Sequence, residues 1–423
     1  MQLPEGWEWA TDAETADVIF YCGKGTPPPD APQGGAGLWW LEVNEAPSGV
    51  SWQQVLEALG SDGLVKFTLR MRRGKEERQR LLAVSGLRNR SLPNAWRVYR
   101  WKRRRALEVA LKWAAQAGTE AWWAQAQPGS SPIRTAARPR PALWLKGLHQ
   151  ALATAPRRLF ASPPLHWQLI LAPWRNGQVL WQEMQRITPP ADRFWADPCL
   201  VEWKGERLVF VEEKVYAQGK GRIALLRLDA EGRVIEHTVV LERPFHLSYP
   251  LVFEAEGEWW MVPESAQAGR VDLYRALDFP YHWRCERTLL EGDFVDATPV
   301  QFNGRWWLFC ARRDGSGAAL EELWLFSAEQ LNGPWRPHRA NPLWMDIRQA
   351  RPAGRLFRWN GEWIRPAQDS ALRYGHAVRL QRVLEWTEEV YREETREVLL
   401  PAPPFQAMHT FSVAGEWVML DGC

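Results

Sequence analysis

A chain of 423 residues is long enough for two or three domains. Its 53 basic and 50 acidic residues nearly cancel to a formal charge of +3, which gives no polyelectrolyte signal, so charge indicates neither nucleic acid nor membrane. Five cysteines (Cys22, Cys199, Cys285, Cys310, Cys423) with no metal-ligand spacing fit reduced thiols. The stretch Met1–Glu5 has neither a basic nor an apolar signal region, and no apolar run approaches spanning length, so a cytoplasmic protein without a membrane span is expected.

In chain order, residues 1–92 predict a small α/β domain. Asp17–Cys22 and Gly37–Val43 read as strands, Ser51 as the cap of a helix to Leu59, and Gly63–Arg70 with Arg80–Val84 as a strand pair. This layout resembles the latter part of a formyltransferase catalytic domain. That family works with an Asn-x-His pair and a later Asp, whereas here the matching place reads Val43-Asn44-Glu45-Ala46 and the first histidine is His149. The resemblance implies a catalytically silent remnant. Residues 93–160 follow as linking helices and a linker. Asn94 is expected to cap a helix over Ala95–Ala115 that carries Arg100, Lys102, Arg103, Arg104 and Arg105, either a solvated or interdomain face or a site for an anionic partner. Gln127–Pro141 is a Pro- and Arg-rich linker, Ala142–Ala153 a short helix, and Leu159-Phe160 an apolar lead into the last domain.

From 161 to 423 one phrase is written five times. Ala196-Asp197-Pro198, Ser248-Tyr249-Pro250, Asp296-Ala297-Thr298, Arg351-Pro352-Ala353 and Met408-His409-Thr410 each precede an apolar run, a Gly-centred turn and a second apolar run. The turn glycines 205, 257, 304, 361 and 415 lie 52, 47, 57 and 54 residues apart, a propeller-like period. Each phrase is a β-hairpin. A third strand recurs at Gly221–Leu226, Gly269–Tyr274, Glu322–Phe326 and Gly375–Leu380, which gives four-stranded blades. The fifth hairpin lacks its own outer strands, so Trp167–Ala172 and Gln178–Glu183 are predicted to supply them. The expected fold is mainly β: a five-bladed β-propeller preceded by the α/β remnant and linking helices.

The first strand of each blade lines the axis, so Asp197, Tyr249, Asp296, Arg351 and His409 converge at one funnel. The ends of the second strands bring Glu212, Glu213, Glu264, Arg312, Gln368, Asp369 and Asp421 near them. Glu212, Glu264 and Gln368 each stand seven residues after their turn glycine and are therefore equivalent. Of the 28 tryptophans, against roughly five or six in ordinary usage, most are expected between blades and some in a sugar-stacking cleft.

Phe194-Trp195-Ala196-Asp197-Pro198, Val295-Asp296-Ala297-Thr298 and Met408-His409-Thr410-Phe411-Ser412 resemble the motifs of five-bladed glycoside hydrolases of the arabinanase, xylosidase, levansucrase and invertase type. The resemblance implies Asp197 as base or nucleophile, Asp296 as the residue that orients the sugar and tunes the acid, and His409 beside an axial divalent metal such as calcium. His246-Leu247-Ser248-Tyr249-Pro250, Pro263-Glu264-Ser265, Ala350–Gly354 and Arg365–Asp369 more closely resemble the N-terminal propeller of plant glucosamine inositolphosphorylceramide transferases and of bacterial proteins that join it to a formyltransferase-like segment. In arabinanase-type enzymes the acid Glu follows the second Asp, whereas here Glu264 precedes Asp296. Desolvation at the end of an apolar strand would suit Glu264 as the acid, or it pairs with an Arg such as Arg351. Asp197 serves either chemistry or a turn before Pro198, and His409 either packs on the axis or binds metal. Trp195, Glu213, Tyr249, Arg351, Asp369 and His376 are expected to contact substrate. The first reading is an enzyme that cleaves or transfers a glycosidic bond in polysaccharide or glycoconjugate metabolism, acting on a carbohydrate or sugar conjugate. The alternative is a non-catalytic glycan-binding module or scaffold in envelope polysaccharide synthesis.

Overall fold

The computed structural model describes residues 16, 18–21, 27, 35–44, 46–47, 52–87, 92–128, 141–153, 166–313 and 321–423. The expectations placed on Asp17, Cys22, Ser51, Leu159-Phe160 and residues 129–140 lie outside them. The chain divides into two compact units at Ser162/Pro163.

In the first unit Leu38–Val43 pairs antiparallel with Leu64–Arg73, which pairs antiparallel with Glu76–Gly86. Ile19–Phe20 adds parallel to Leu38–Val43, and Gln127–Pro128 closes the far edge on Arg78 and Gln79. The strand pair is longer than expected because the turn is only Gly74-Lys75. The long helix spans Leu92–Ala117, so Asn94 lies inside it and is not its cap; its Oδ1 accepts from Arg97 instead. Pro93 explains the earlier start, since the first turn of a helix tolerates a missing N–H. Within the basic cluster Lys102 is buried and Arg104 pairs with Glu108 one turn on. Helix Trp52–Gly60 and helix Pro141–Ala153 meet at two glycines: a Cβ on Gly60 would stand 2.0 Å from the Leu143 carbonyl oxygen, and one on Gly147 would stand 1.9 Å from that of Leu56. Among the described residues no helix is long and apolar enough to cross a membrane.

The second unit is a propeller of five sheets. Four are consecutive in sequence: Arg193–Leu241, Ser248–Glu291, Phe294–Met345 and Arg351–Leu399. The fifth takes Phe411–Ala414 and Trp417–Gly422 from the end of the unit and Gln168–Arg175 from its beginning. Trp417 pairs with Pro173 and Gly422 with Gln168, antiparallel throughout. The outer strand differs from expectation. Gln178–Val179 merely folds back on Trp174 and Arg175, Trp181–Glu183 is a 3-10 turn, and Gln185–Ile187 forms the edge against Leu169–Leu171. Pro189 and Pro190 follow that edge at once, which stops it from growing.

The inner hairpins repeat one turn. Lys204, Glu256, Asn303 and Asn360 have φ of 51, 55, 49 and 51°, each followed by a glycine that is also left-handed. Two consecutive positive φ values define the two-residue turn whose twist matches the strands it joins. Apolar clusters fill the blade interfaces in order: Val201, Phe210 and Met261 between blades one and two, Leu251, Leu273 and Leu308 between two and three, and Phe309, Leu325 and Leu356 between three and four. Ile364, Leu380 and Phe411 lie between four and five, and Leu171, Val209 and Met419 between five and one. The ring is therefore closed by packing as well as by hydrogen bonds. The tryptophans sit mainly in these seams, as in Trp259 stacked on Phe279 at 4.0 Å.

Candidate active site at the axial funnel

Blades one to three share one device at the start of the inner strand. Their ladders slip between Ala196 and Cys199, Ser248 and Leu251, and Val295 and Thr298. In each bulge one residue is left-handed: Asp197 at φ 51°, Tyr249 at 42° and Asp296 at 53°. An Asp tolerates this region better than most side chains, but a Tyr there is strained. The bulge re-aims the two carboxylates toward the axis. Opposite them, alternation along the second strands puts Glu212, Glu264 and Gln368 on the axial face.

Asp197 is tied to blade five. Its Oδ1 accepts from the Thr410 hydroxyl at 3.1 Å and lies 2.9 Å from His409 Nε2, and its Oδ2 accepts from the Tyr249 N–H at 3.2 Å. Asp421 accepts the N–H groups of His409, Thr410 and Asp197 at 2.9, 3.0 and 3.1 Å, and lies 3.1 Å from His409 Nδ1. Burial opposes charge on His409, but Asp421, Tyr374 and Asp197 outweigh it and hold the imidazole proton affinity well above its ordinary value. His409 is therefore an imidazolium at neutral pH. Burial alone would raise the Asp197 pKa; the hydrogen bond and charge of His409 pull it below its ordinary value.

Asp296 pairs with Arg351 through both carboxylate oxygens and accepts from Gln368 Nε2 at 3.1 Å. Arg351 thus serves Asp296 and not Glu264. Even so, burial, with Asp197 nearby, keeps the Asp296 pKa above its ordinary value. Glu264 accepts from Ser248 Oγ at 3.0 Å and from the Ala266 N–H at 3.1 Å, yet burial and the charge of Asp296 push it up to about 7. Glu212 is likewise pushed well above its ordinary value by burial and by Asp197. The funnel therefore sets Asp197, whose ionised form is favoured, beside Glu212 and Glu264, whose acid forms are favoured, a division that acid/base chemistry requires.

The structure places several expected substrate contacts elsewhere. Glu213 points away from the axis to Arg193, Arg222, His237 and Trp195, where burial is outweighed by these donors and its pKa falls. Trp195 donates its indole N–H to Glu213 and packs between blades five and one. Tyr249 turns its ring into the seam between blades two and three and bonds the Thr298 hydroxyl at 3.0 Å. Asp369 pairs with Arg379 at 2.7 Å and accepts from the Ala371 N–H. His376 stands half-buried just before the strand Ala377–Trp386. The aromatic rings that do meet the funnel were not foreseen: Trp167 lies 4.4 Å edge-on from His409, and Tyr374 lies 5.0 Å from it and under the Arg351 guanidinium. Tyr374 lies five residues beyond the end of the second strand of blade four, the signal that could have placed it at this end. A small cavity lined by Asp197, Tyr249, Leu251, Arg355, Thr410 and Ser412 borders the Asp197 carboxylate.

Calcium does not fit the expected place. Oxygen donors of Asp197 and Asp421 come within 4.8 Å of each other and of His409, but calcium takes six to eight oxygens. Here the carboxylates already accept main-chain and hydroxyl donors, and each ring nitrogen of His409 faces a carboxylate. That donor set suits an imidazolium clamped between two anions.

Residues 174–404 match the family described as glucosamine inositolphosphorylceramide transferase 1, N-terminal. The chain is 36% identical over 206 residues to a protein of that name from Oryza sativa subsp. japonica, covering 47% of this chain and 27% of that one. It is 33% identical over 242 residues to the Arabidopsis thaliana protein, covering 54% and 31%. The match thus spans about a quarter to a third of these relatives. Among solved structures, Zg3597, a family 117 glycoside hydrolase of Zobellia galactanivorans, is similar at 13% identity and a TM-score of 0.41 over 61% of this chain and 91% of that one. CoXyl43, a β-xylosidase/α-arabinofuranosidase from a compost metagenome, reaches 14% and 0.42 over 54% and 84%. With more than half of its residues matched, the chain belongs to the family of the N-terminal domain of glucosamine inositolphosphorylceramide transferase 1.

Proposed function

We propose that the funnel acts on a glycosidic bond of a sugar or sugar conjugate, by cleavage or by transfer. The observation that carries this reading is the unequal proton affinity of neighbouring buried carboxyls. Asp197, kept ionised beside the His409 imidazolium, is the base or nucleophile. Glu264, with a pKa near 7, is the general acid. Asp296, fixed by Arg351 and Gln368, orients the sugar and raises the acid. The relatives carry the name of a transferase of a sugar conjugate, which agrees with this substrate class. Turnover should be screened on a panel of glycosides and activated sugars, with Asp197→Asn and Glu264→Gln beside the parent. Turnover that survives both substitutions refutes the assignment.

A second reading is a sugar-binding module without chemistry. It is favoured by the internal pairing of both aspartates, since Asp197 with His409 and Asp296 with Arg351 are satisfied before any ligand arrives. Saturable sugar binding with no turnover, and with affinity unchanged in Asp197→Asn, would select it.

A further inference from the structure

The near balance of charge over the whole chain hides a steep gradient within it. Residues 1–162 hold 23 basic and 14 acidic residues and residues 163–423 hold 30 and 36, so the two parts carry +9 and −6. The excess is concentrated, for residues 64–160 hold 22 basic residues against 4 acidic ones. That run ends before residue 174, where the match to the family begins. An asymmetry of this size between two parts of a chain marks a surface for a polyanion.

Some of the positive charge is neutralised or covered within the first unit. Arg70 is buried against Glu42, Arg73 and Arg78 pair with Glu120 and Glu76, and Lys102 is buried. The helix Leu92–Ala117 nevertheless holds seven basic residues and a single acidic one, Glu108. Of these Arg97, Arg100 and Arg104 are exposed, whereas Arg103 and Arg105 are half-buried. At 3.6 residues per turn the three exposed arginines fall within a sector of about 60°. Arg97 donates to the neutral Asn94, and the pair of Arg104 with Glu108 is open to solvent and therefore weak. The flanks of this stripe are aromatic: Trp96 lies about 40° to one side of it and Trp101 about 40° to the other. Trp101 is 39% exposed, and Trp52, 43% exposed, extends the first flank by stacking on Trp96 at 4.1 Å. Helix Pro141–Ala153, packed on the helix that starts at Trp52, adds Leu145 at 58% and an exposed Lys146.

These neighbours decide which polyanion fits. Single-stranded nucleic acid stacks its bases on free ring faces, but Trp52 and Trp96 cover one another, and Leu145 offers a base nothing to stack on. Indole rings and an aliphatic chain beside guanidinium groups suit the headgroup level of a bilayer, where the apolar parts enter the acyl boundary and the cations meet lipid phosphate. We propose that the first unit is a peripheral membrane anchor, laid on an anionic bilayer by the stripe of Arg97, Arg100 and Arg104 with Trp52 and Trp101 at its sides. The proposal is independent of the chemistry of the funnel.

The full chain is sedimented with vesicles of phosphatidylcholine alone and of phosphatidylcholine and phosphatidylglycerol in a two-to-one ratio, at about 0.05 and 0.5 M salt. At low salt the parent should bind the mixed vesicles at least about tenfold more tightly than the neutral ones, and high salt should remove most of that preference. Arg97→Gln/Arg100→Gln/Arg104→Gln should bind the mixed vesicles about a hundredfold more weakly, at about fivefold per arginine. Trp101→Ala should lose the binding that survives high salt, which is the apolar part. Equal binding of both vesicles by the parent overturns the proposal without any variant having to fold, and so does a triple variant that binds like the parent. Poly(U) that binds the parent more tightly than the mixed vesicles and displaces it from them would assign the stripe to nucleic acid, and overturns it as well.

Discussion

Asp421→Asn tests whether the His409 clamp holds the propeller's axis together. The carboxylate accepts His409 N–H and Thr410 N–H on one oxygen, and Asp197 N–H on the other, which also faces His409 Nδ1. An amide keeps only one oxygen. However it turns, its NH2 group faces at least one main-chain N–H, and the imidazolium loses one of its two anions. Removing one partner from a buried charge pair costs about 3–5 kcal/mol. For a domain of this size each kcal/mol moves the melting temperature by roughly 2–4 °C, so a drop of roughly 6–20 °C is expected. The pH dependence has a definite sign. The folded pKa of His409 lies above its unfolded value, so the stability it contributes is fully present below about pH 6.5 and is lost as pH rises through the folded value. With Asp421 gone the folded pKa falls, so the cost of the substitution should be larger at pH 6 than at pH 9. Near-UV circular dichroism melts of parent and variant at both pH values read this directly. A loss under about 1 kcal/mol, or one that is as large at pH 9 as at pH 6, refutes the clamp.

Glu264 gives the same sign at lower pH: its raised pKa means the fold binds a proton that the unfolded chain releases, so stability falls as pH rises between about 4.5 and 7. Glu264→Gln should therefore be the more stable protein at pH 8, by up to about 3 kcal/mol, and lose that advantage at pH 5; a constant difference between the two melts would contradict the burial argument. Gly354 has φ 143°, and a Cβ there would stand 2.1 Å from the Phe411 carbonyl oxygen, so Gly354→Ala should lower the melting temperature sharply, whereas Gly205→Ala, open around its Cβ, should cost less. Leu420→Ala, in the closing strand and fully buried, should cost about 2–5 kcal/mol in denaturant melts, and an unchanged midpoint would mean that the closure is not cooperative with the ring.

The propeller is legible in the sequence because its hairpins combine alternation with a turn that only a few residue types make cheaply. Asn303-Gly304 and Asn360-Gly361 carry both signals, and counting strands exposes the unfilled place that Gln168–Arg175 occupies. The convergence of Asp197, Asp296 and His409 is legible for the same reason, since equivalent positions in repeats meet on the axis. Side-chain direction near the bulges is not. Trp195 and Asp197 are two apart and would share a face on a regular strand, but the left-handed step at Asp197 separates them, one into the seam and the other onto the axis. Glu212 and Glu213 are adjacent, and alternation alone favours the first for the funnel, a distinction that needs the strand's register and not merely its presence. The helix Thr119–Ala124 was missed because six residues with two tryptophans carry too little periodicity.

The blade sewn from Gln168–Arg175 and Trp417–Gly422 also sets a clock on synthesis. At about 5–20 residues per second, roughly 250 residues of chain take on the order of 12 to 50 s to follow the first strand of that blade, and until then the backbone edge that Trp417–Gly422 will cover has no native neighbour. Blades one to four can each form as their own residues appear, because their strands are consecutive. The fifth cannot, and the seams on both sides of it stay half-built meanwhile. A nascent chain stalled anywhere before residue 417 thus presents the same unpaired edge to its neighbours on a polysome, which makes this segment the natural place for a chaperone to hold and the first place to look when expression yields aggregate.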